Sequence, residues 1–214
     1  MPMFFAAVLL AYLIGSVSGS LWLGRFVGVD IRQRGSGNAG GTNALRTLGW
    51  KFAFGVVVID IGKGALAAWA GVALHDADAP LRASAQGFAC VLAAAAGHVW
   101  PLYHGFRGGK GAATLVGGLF VLWPAATPLL FAAWLLVLTA TGYVGLATVC
   151  AGALLVPAAL FVAADARPAT LAFAVLAAAF LLFTHRGNLA RLRAGTEHRF
   201  ERARVWSRLR ARQR

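Results

Sequence analysis

Apolar residues along this chain fall in runs of membrane-spanning length, separated by short polar segments rich in glycine, arginine and lysine. The first run extends from Met3 to about Leu23, and the first cation, Arg25, follows it. A helix of about 20 apolar residues crosses the hydrocarbon core, so the run predicts an uncleaved span rather than a signal peptide. Further spans are expected from about Phe52 to Leu74 and from about Ala83 to Val99. Residues 111–164 then carry no charged side chain over 54 positions, room for two or three helices. Trp123-Pro124 with Pro128 breaks this stretch once and Thr139–Tyr143 breaks it again, which favours three, the first of them short. A last span is expected from about Ala169 to Thr184.

Charge supports the larger number. Ten of the 20 Lys and Arg residues follow residue 185, and seven more lie at positions 25–51 and 107–110. An odd number of spans returns the cationic end to the side of the Arg25 loop, whereas an even number strands ten cations outside. The pattern therefore predicts an all-α polytopic integral membrane protein with seven transmembrane helices, its N-terminus outside and its C-terminus cytoplasmic. Residues 1–200 would form a single membrane domain and residues 201–214 a basic tail. Interleaved Val205, Trp206 and Leu209 suit that tail for anionic headgroups. Composition agrees: hydrophobic residues make up 59% and charged residues 13%, against about 25% charged in soluble domains. The net charge of +13 clusters between apolar runs, so no nucleic-acid partner is expected. Cys90 and Cys150 sit inside apolar runs with no CxxC or Cys/His cluster, which supports neither a disulfide framework nor a metal site.

Three glycine–cation segments carry the candidate chemistry. In the first, Gly35-Ser-Gly-Asn-Ala-Gly40 matches G-x-G-x-x-G but lacks the βαβ context of a dinucleotide fingerprint. A glycine-rich turn entering a helix still offers free N–H groups to an anion. Gly35, Gly37, Asn38, Thr42 and Asn43 are candidate substrate-binding residues. Ser36 and Arg46 are candidate catalytic ones, the guanidinium being suited to bidentate phosphate contact. The second segment, Gly105–Thr114, resembles a P-loop without satisfying one, because Lys110 is followed by Gly111. Lys110 is a candidate catalytic cation; Gly108 and Gly109, which clear room beside it, and His98 just upstream are candidate substrate-binding residues, with a capping or core hydrogen bond the alternative for His98. In the third, His185 and Asn188 lie three apart at the end of the last span, where histidine could take a hydroxyl proton and asparagine orient the hydroxyl. Asp60 and Lys63, at helical spacing within the second span, read as a self-neutralising structural pair. Gly15-x-x-x-Gly19 and Gly24-x-x-x-Gly28 read as helix-packing motifs.

Gly15-Ser16, Asp30-Ile-Arg32, Gly35–Asn38, Thr42-Asn43 and Arg46–Gly49, followed by Gly97-His98, Pro101, Phe106, Gly108–Gly111, His185-Arg186, Asn188 and Gly195–Glu197, occur here in one order. That combination resembles the bacterial acyl-phosphate:glycerol-3-phosphate acyltransferases, the PlsY family, from about residue 15 to residue 197. The resemblance implies transfer of a fatty acyl group from acyl phosphate to glycerol 3-phosphate, giving lysophosphatidic acid and inorganic phosphate as the first step of phospholipid biosynthesis. It implies a multi-pass protein of the bacterial inner membrane, with its active site on the cytoplasmic side. No cofactor is expected, membrane lipids surround the protein, and a monomer is expected. Ser18 departs from the pattern where a proline is usual, as do Gly142, Gly145 and Gly187 at positions that commonly carry Arg, Ser and Glu. The chemistry fits: two phosphate-bearing substrates need two cationic cradles, and a phosphate leaving group needs little acid assistance. His185 or a substrate phosphate would take the hydroxyl proton. The competing reading is a transporter or binding protein for phosphorylated solutes, although no internal repeat is evident.

Overall fold

The computed structural model describes residues 2–79, 81–162, 164 and 166–203. The predicted amphipathic tail lies, from residue 204 on, outside the described residues. All regular structure among the described residues is helical. Two compact units divide the chain after Pro124.

The first unit holds α1 (Pro2–Gly15), α2 (Gly19–Phe26), α3 (Gly41–Ala73), α4 (Ala83–Val99) and α5 (Ala112–Leu122). Its interior is built from small residues. Ala7, Ala11, Ala67, Cys90 and Ala94 form one buried cluster, while Phe5, Phe54 and Trp69 are more than half exposed. That inversion suits a lipid solvent, where close backbone packing rather than burial of large side chains holds helices together. Gly15 and Gly97 let α1 and α4 touch: a Cβ at Gly15 would collide with the Ala94 carbonyl, and one at Gly97 with that of Tyr12. Gly19 packs likewise on the Val56 carbonyl. Gly24 and Gly28 serve a turn instead, since Gly24 closes on the Val29 carbonyl and Gly28 takes φ +65° with open space around it.

The first apolar run is not one straight helix. It breaks between Gly15 and Gly19, and α1 and α2 meet at a bend of 42°. Ser18 therefore accompanies a break without proline. The unpaired groups at the break are met from α3: Lys63 Nζ donates to the Gly15 and Val17 carbonyls (2.9 and 2.8 Å), and Gly19 N–H donates to Asp60 Oδ1 (3.1 Å). A spanning helix broken in hydrocarbon is tolerated only where such partners exist.

The second difference concerns α3. Its helix begins at Gly41, inside the segment expected to be a loop, and reverses at Gly49 (φ 84°, ψ 178°). Ala44 packs with Ala53 and Val56, and a Cβ at Gly41 would lie 2.8 Å from Val57 Cγ2. In a continuous helix, residues 41 and 57 would stand about 24 Å apart. Residues 41–48 are thus a short arm folded back along the long segment 50–73. The arm carries the polar segment inward beside the span. On the other side, α5 starts beside Gly64: Cβ atoms at Gly64 and Gly117 would collide with the Thr114 and Ile61 carbonyls. With 11 residues, α5 is about 16 Å long, roughly half the hydrocarbon thickness.

The second unit holds α6 (Ala126–Thr141), α7 (Val144–Ala159), α8 (Arg167–Thr184) and α9 (Arg186–Arg193). Three helices, α5 to α7, occupy the long uncharged stretch, broken where the prolines and Gly142 stand. Helix α7 packs between α6 and α8, with Gly152 seated on Leu181 and Trp134 Nε1 donating to Thr148 Oγ1 (3.3 Å). Helix α3, the stretch Ala83–His104 that begins with α4, and helix α8 are each long and apolar enough to cross a membrane, as is the bent α1–α2 pair taken together. Helices α5, α6 and α7 are shorter, at 11, 16 and 16 residues.

Candidate active site

Loop one is organised by a single buried side chain. Asn43, in the first turn of α3, accepts from Ser36 N–H through Oδ1 (3.0 Å) and donates through Nδ2 to the carbonyls of Ile31, Arg34 and Asn38 (3.2, 2.9 and 3.0 Å). All its polar atoms are spent on the loop, so Asn43 shapes the cradle. Gly35 and Gly37 take positive φ (57° and 72°), and Gly35 also leaves room for the Asn43 amide. Ser36 is left exposed at the turn. Thr42 stands in the first turn of α3 and Arg46 one turn further, half-buried on the folded-back arm rather than on a loop. Gly40 caps that arm without a side-chain bond, leaving its first N–H groups available to a ligand.

Loop two lies over the end of α4. Gly108 N–H donates to the Val99 carbonyl and Gly109 N–H to that of His98, both at 3.0 Å. A Cβ at Gly108 would collide with the His98 carbonyl, and one at Gly109 with the His98 ring. These glycines therefore clear space for the α4 terminus and its imidazole, not for the lysine as the sequence suggested. Lys110, half-buried, immediately precedes Gly111, the left-handed N-cap (φ 85°) of α5. The two loops adjoin, since a Cβ at Gly109 would also lie 3.0 Å from the Ala39 carbonyl. The glycine-capped starts of α3 and α5 thus stand side by side, with Arg46 and Lys110 on either flank in sequence.

Asp30 and Arg32 tie the loops together, a role missed in the sequence although the motif was visible. Arg32 is chelated by the Asp30 carboxylate (Nη2–Oδ2 2.8 Å, Nε–Oδ1 3.0 Å) and donates through Nη1 to the carbonyls of His104 and Arg107 (2.9 and 3.3 Å). The hydrogen bonds from Arg32 hold the Asp30 carboxyl below its ordinary pKa, and the carboxylate raises that of Arg32. A cavity of about 280 Å³ opens beside them, lined by Arg25, Asp30, Arg32 and His104.

Beneath loop two, His98 is only 3% exposed, with Nδ1 2.7 Å from Lys63 Nζ and 3.4 Å from Asp60 Oδ1. Asp60 and Lys63 pair at 3.2 Å. The expected structural pair is thus a three-residue cluster that also braces the α1–α2 break.

In the second unit, His185 and Asn188 do not share one continuous helix. His185 ends α8, and Asn188 lies on α9. His185 Nδ1 is 2.9 Å from the Leu181 carbonyl, which only accepts, so Nδ1 carries the proton and Nε2 is the basic nitrogen. Asn188 Nδ2 donates to Glu197 Oε1 (2.6 Å), and Arg191 Nε pairs with Glu197 Oε2 (2.7 Å). Glu197 is thus the orienting residue that the sequence gave no role. Two departures acquire physical reasons. Gly142 takes φ 80° to cap α6, and its carbonyl accepts from Phe200 N–H (2.9 Å). A Cβ at Gly145 would lie 2.9 Å from Asn188 Cβ, so glycine there seats the asparagine. Gly187 is exposed. Among the described residues, no group of three or more His, Cys, Asp or Glu side chains could hold a metal ion.

Residues 5–195 match the family described as glycerol-3-phosphate acyltransferase. A relative of that name from Shouchella clausii is 41% identical, the match covering 91% of this chain and 94% of the relative. One from Chlorobaculum parvum is 37% identical, covering 92% and 96%. Among solved structures, the glycerol 3-phosphate form of PlsY, an integral membrane glycerol 3-phosphate acyltransferase, superposes with a TM-score of 0.80 at 35% identity, covering 92% of this chain and 95% of that one. Its lysophosphatidic acid form gives 0.79 at 34% identity.

Proposed function

The chain belongs to the glycerol-3-phosphate acyltransferase family, and we propose that it uses acyl phosphate as donor, releasing lysophosphatidic acid and inorganic phosphate. Glycerol 3-phosphate and lysophosphatidic acid are the ligands named for the similar PlsY structures. One observation carries the donor assignment. Two glycine-capped helix starts, α3 and α5, adjoin within the first unit, with Arg46 in the second turn of α3 and Lys110 immediately before the cap of α5. Two anion-binding cradles suit two phosphates, one on each substrate. A thioester donor would bring no phosphate to the reacting end.

In this mechanism the Ser36 hydroxyl, with the backbone N–H groups of Gly35, Asn38 and Thr42, holds the acyl phosphate, while the N–H groups of Ser36 and Gly37 stay bonded within the loop. Arg46 and Lys110 bind phosphate oxygens and stabilise the charge that develops on the acyl carbonyl oxygen as the hydroxyl adds. Collapse of that adduct breaks the acyl–phosphate bond, and phosphate departs as an anion that needs no proton. His185 takes the hydroxyl proton through Nε2, and Asn188, held by Glu197, orients the hydroxyl. Gly108, Gly109 and His98 contribute the wall beneath loop two. Seven spans place the N-terminus outside and all three segments on the cytoplasmic side of the inner membrane, with α5 as a half-length span and the protein acting as a monomer. The helices of residues 1–200 serve one membrane function, and the basic tail meets anionic lipid.

The test gives purified protein acyl phosphate, acyl-CoA and acyl-carrier protein in parallel, each with glycerol 3-phosphate. Lysophosphatidic acid is expected from acyl phosphate alone, and equal product from either thioester refutes the donor assignment. Lys110→Ala and Arg46→Ala are each expected to abolish turnover in stably inserted protein, and near-wild-type activity would remove them from the mechanism.

A further inference from the structure

Lys63 faces four acceptors with three N–H groups. Its Nζ lies 2.9 Å from the Gly15 carbonyl, 2.8 Å from that of Val17, 2.7 Å from His98 Nδ1 and 3.2 Å from Asp60 Oδ1. An ammonium donates three hydrogen bonds and accepts none. The three shortest contacts use them all, and Asp60 is left as the charge partner. Gly19 N–H donates to Asp60 Oδ1 as well, so that oxygen is already served. The Asp60 carboxylate 3.2 Å away keeps Lys63 an ammonium, and a proton on His98 Nδ1 would then point at it across 2.7 Å, donor against donor. Nδ1 must therefore be bare, and a neutral imidazole then carries its proton on Nε2.

That second nitrogen faces loop two. A Cβ at Gly109 would collide with His98 Nε2. Nε2 makes no hydrogen bond to another described residue and is not among the buried polar atoms left without a partner, so it keeps an open side within an otherwise buried residue. A ligand oxygen that reached it would find a donor already held in place. It lies directly under the turn that carries Lys110 into the start of α5.

We propose that Lys63 is a positioning residue that locks His98 as its Nε2–H tautomer, so that His98 offers a fixed hydrogen-bond donor to an anionic substrate oxygen held at the Gly108–Gly111 turn. The same ammonium ties this donor to the α1–α2 break, so the bend in the first span and the floor of loop two share one anchor. The tautomer pattern is opposite to that of His185, whose Nδ1 donates to the Leu181 carbonyl and whose Nε2 is basic. One histidine is set to give a hydrogen bond and the other to take a proton.

This inference rests on loop two being a phosphate site, and its test separates the two. Full-length protein labelled with 15N-histidine, reconstituted in lipid nanodiscs, gives resonances for five histidines; the His98 signal is the one lost in His98→Gln. It is expected to show a protonated Nε2 and a bare Nδ1 in the wild type, and a tautomer mixture in Lys63→Met. A proton on wild-type Nδ1 overturns the proposal without any variant having to fold. In turnover assays, His98→Asn, whose amide mimics Nδ1, is expected to raise KM for a phosphate-bearing substrate roughly 10-fold or more, the worth of a hydrogen bond to a charged group. His98→Gln, whose amide mimics Nε2–H, is expected to recover most of that loss. Lys63→Met is expected to raise KM in the wild-type background and to change it less than about twofold in His98→Gln, because the glutamine needs no tautomer set. Equal Lys63→Met effects in both backgrounds overturn the positioning role. Lys110→Ala is run beside them. Full activity there refutes loop two as the phosphate site, whereas an inactive Lys110→Ala with a protonated Nδ1 refutes only the tautomer lock.

Discussion

Replacing Asn43 with alanine removes one side chain and four hydrogen bonds that hold loop one. The amide nitrogen has two protons for three carbonyls, so one proton is shared and the four contacts count as about three full bonds. At about 1 kcal/mol net for each, the ordered loop loses roughly 3 kcal/mol. Because the bonds lie within residues 31–43, the loss is local and the helix packing of the unit is untouched. A cradle ordered for only a small fraction of the time binds its ligand correspondingly more weakly, and 3 kcal/mol corresponds to about 100-fold. Asn43→Ala is therefore expected to lower kcat/KM for acyl phosphate by about 30- to 100-fold. Amide hydrogen exchange across residues 31–40 is expected to quicken, with protection in the 50–73 segment unchanged. Kinetics and exchange mass spectrometry on the same reconstituted sample check both. Activity lost with exchange unaltered would mean that Asn43 touches substrate directly, and kcat/KM within threefold of wild type would refute the organising role altogether.

Gly117→Ala places a methyl against the Ile61 carbonyl and forces α3 and α5 apart, so thermal unfolding is expected to drop by about 1–3 kcal/mol. Gly62→Ala meets nothing within 4 Å and is expected to be neutral or stabilising by about 0.4–1 kcal/mol, and equal loss at both sites would refute the close-crossing argument. Asp30 has a lowered pKa in the folded protein, so its pairing with Arg32 contributes fully above the unfolded value of about 3.9 and is lost as pH falls through the folded value. Asp30→Asn is accordingly expected to cost about 0.5–1 kcal/mol uniformly from pH 5 to 8 and to flatten the acid limb of a stability–pH curve below about pH 4. An unchanged acid limb counts against the pairing. Glu197→Ala removes the acceptor of Asn188 and the partner of Arg191. Turnover is expected to fall about 10-fold or more with insertion intact, and full turnover would mean that Asn188 needs no orienting.

Much of the site was legible because its chemistry is local. Glycines beside cations mark candidate anion cradles, and Ser36, Arg46 and Lys110 stood out as candidates for that reason. The roles of individual residues were less legible. Asn43 looked like a ligand because an exposed polar side chain and a loop-organising one have the same letter, and only its four partners separate the two. Gly108 and Gly109 looked like room for Lys110, but their neighbour is His98, ten positions upstream and hidden under the loop. Glu197 stood nine residues beyond Asn188 with no pattern to connect them.

That the chain is helical and membrane-embedded follows from its amino-acid order alone, because charge-free runs of spanning length have no other stable state in lipid. The order of the glycine–cation segments and the breaks within the long uncharged stretch follow likewise, since proline and glycine act on their own backbone. Tertiary structure decided where the chain turns within those runs. Gly49 alone does not announce a reversal; packing of Ala44 on Ala53 and Val56 makes one, and so carries Arg46 inward on a folded-back arm. Ser16–Ser18 alone does not announce a broken span. The break persists because Lys63 and Asp60, more than 40 residues away, meet its freed carbonyls and N–H. A backbone group in hydrocarbon must find its partner somewhere, and only the folded chain shows which distant side chain supplies it.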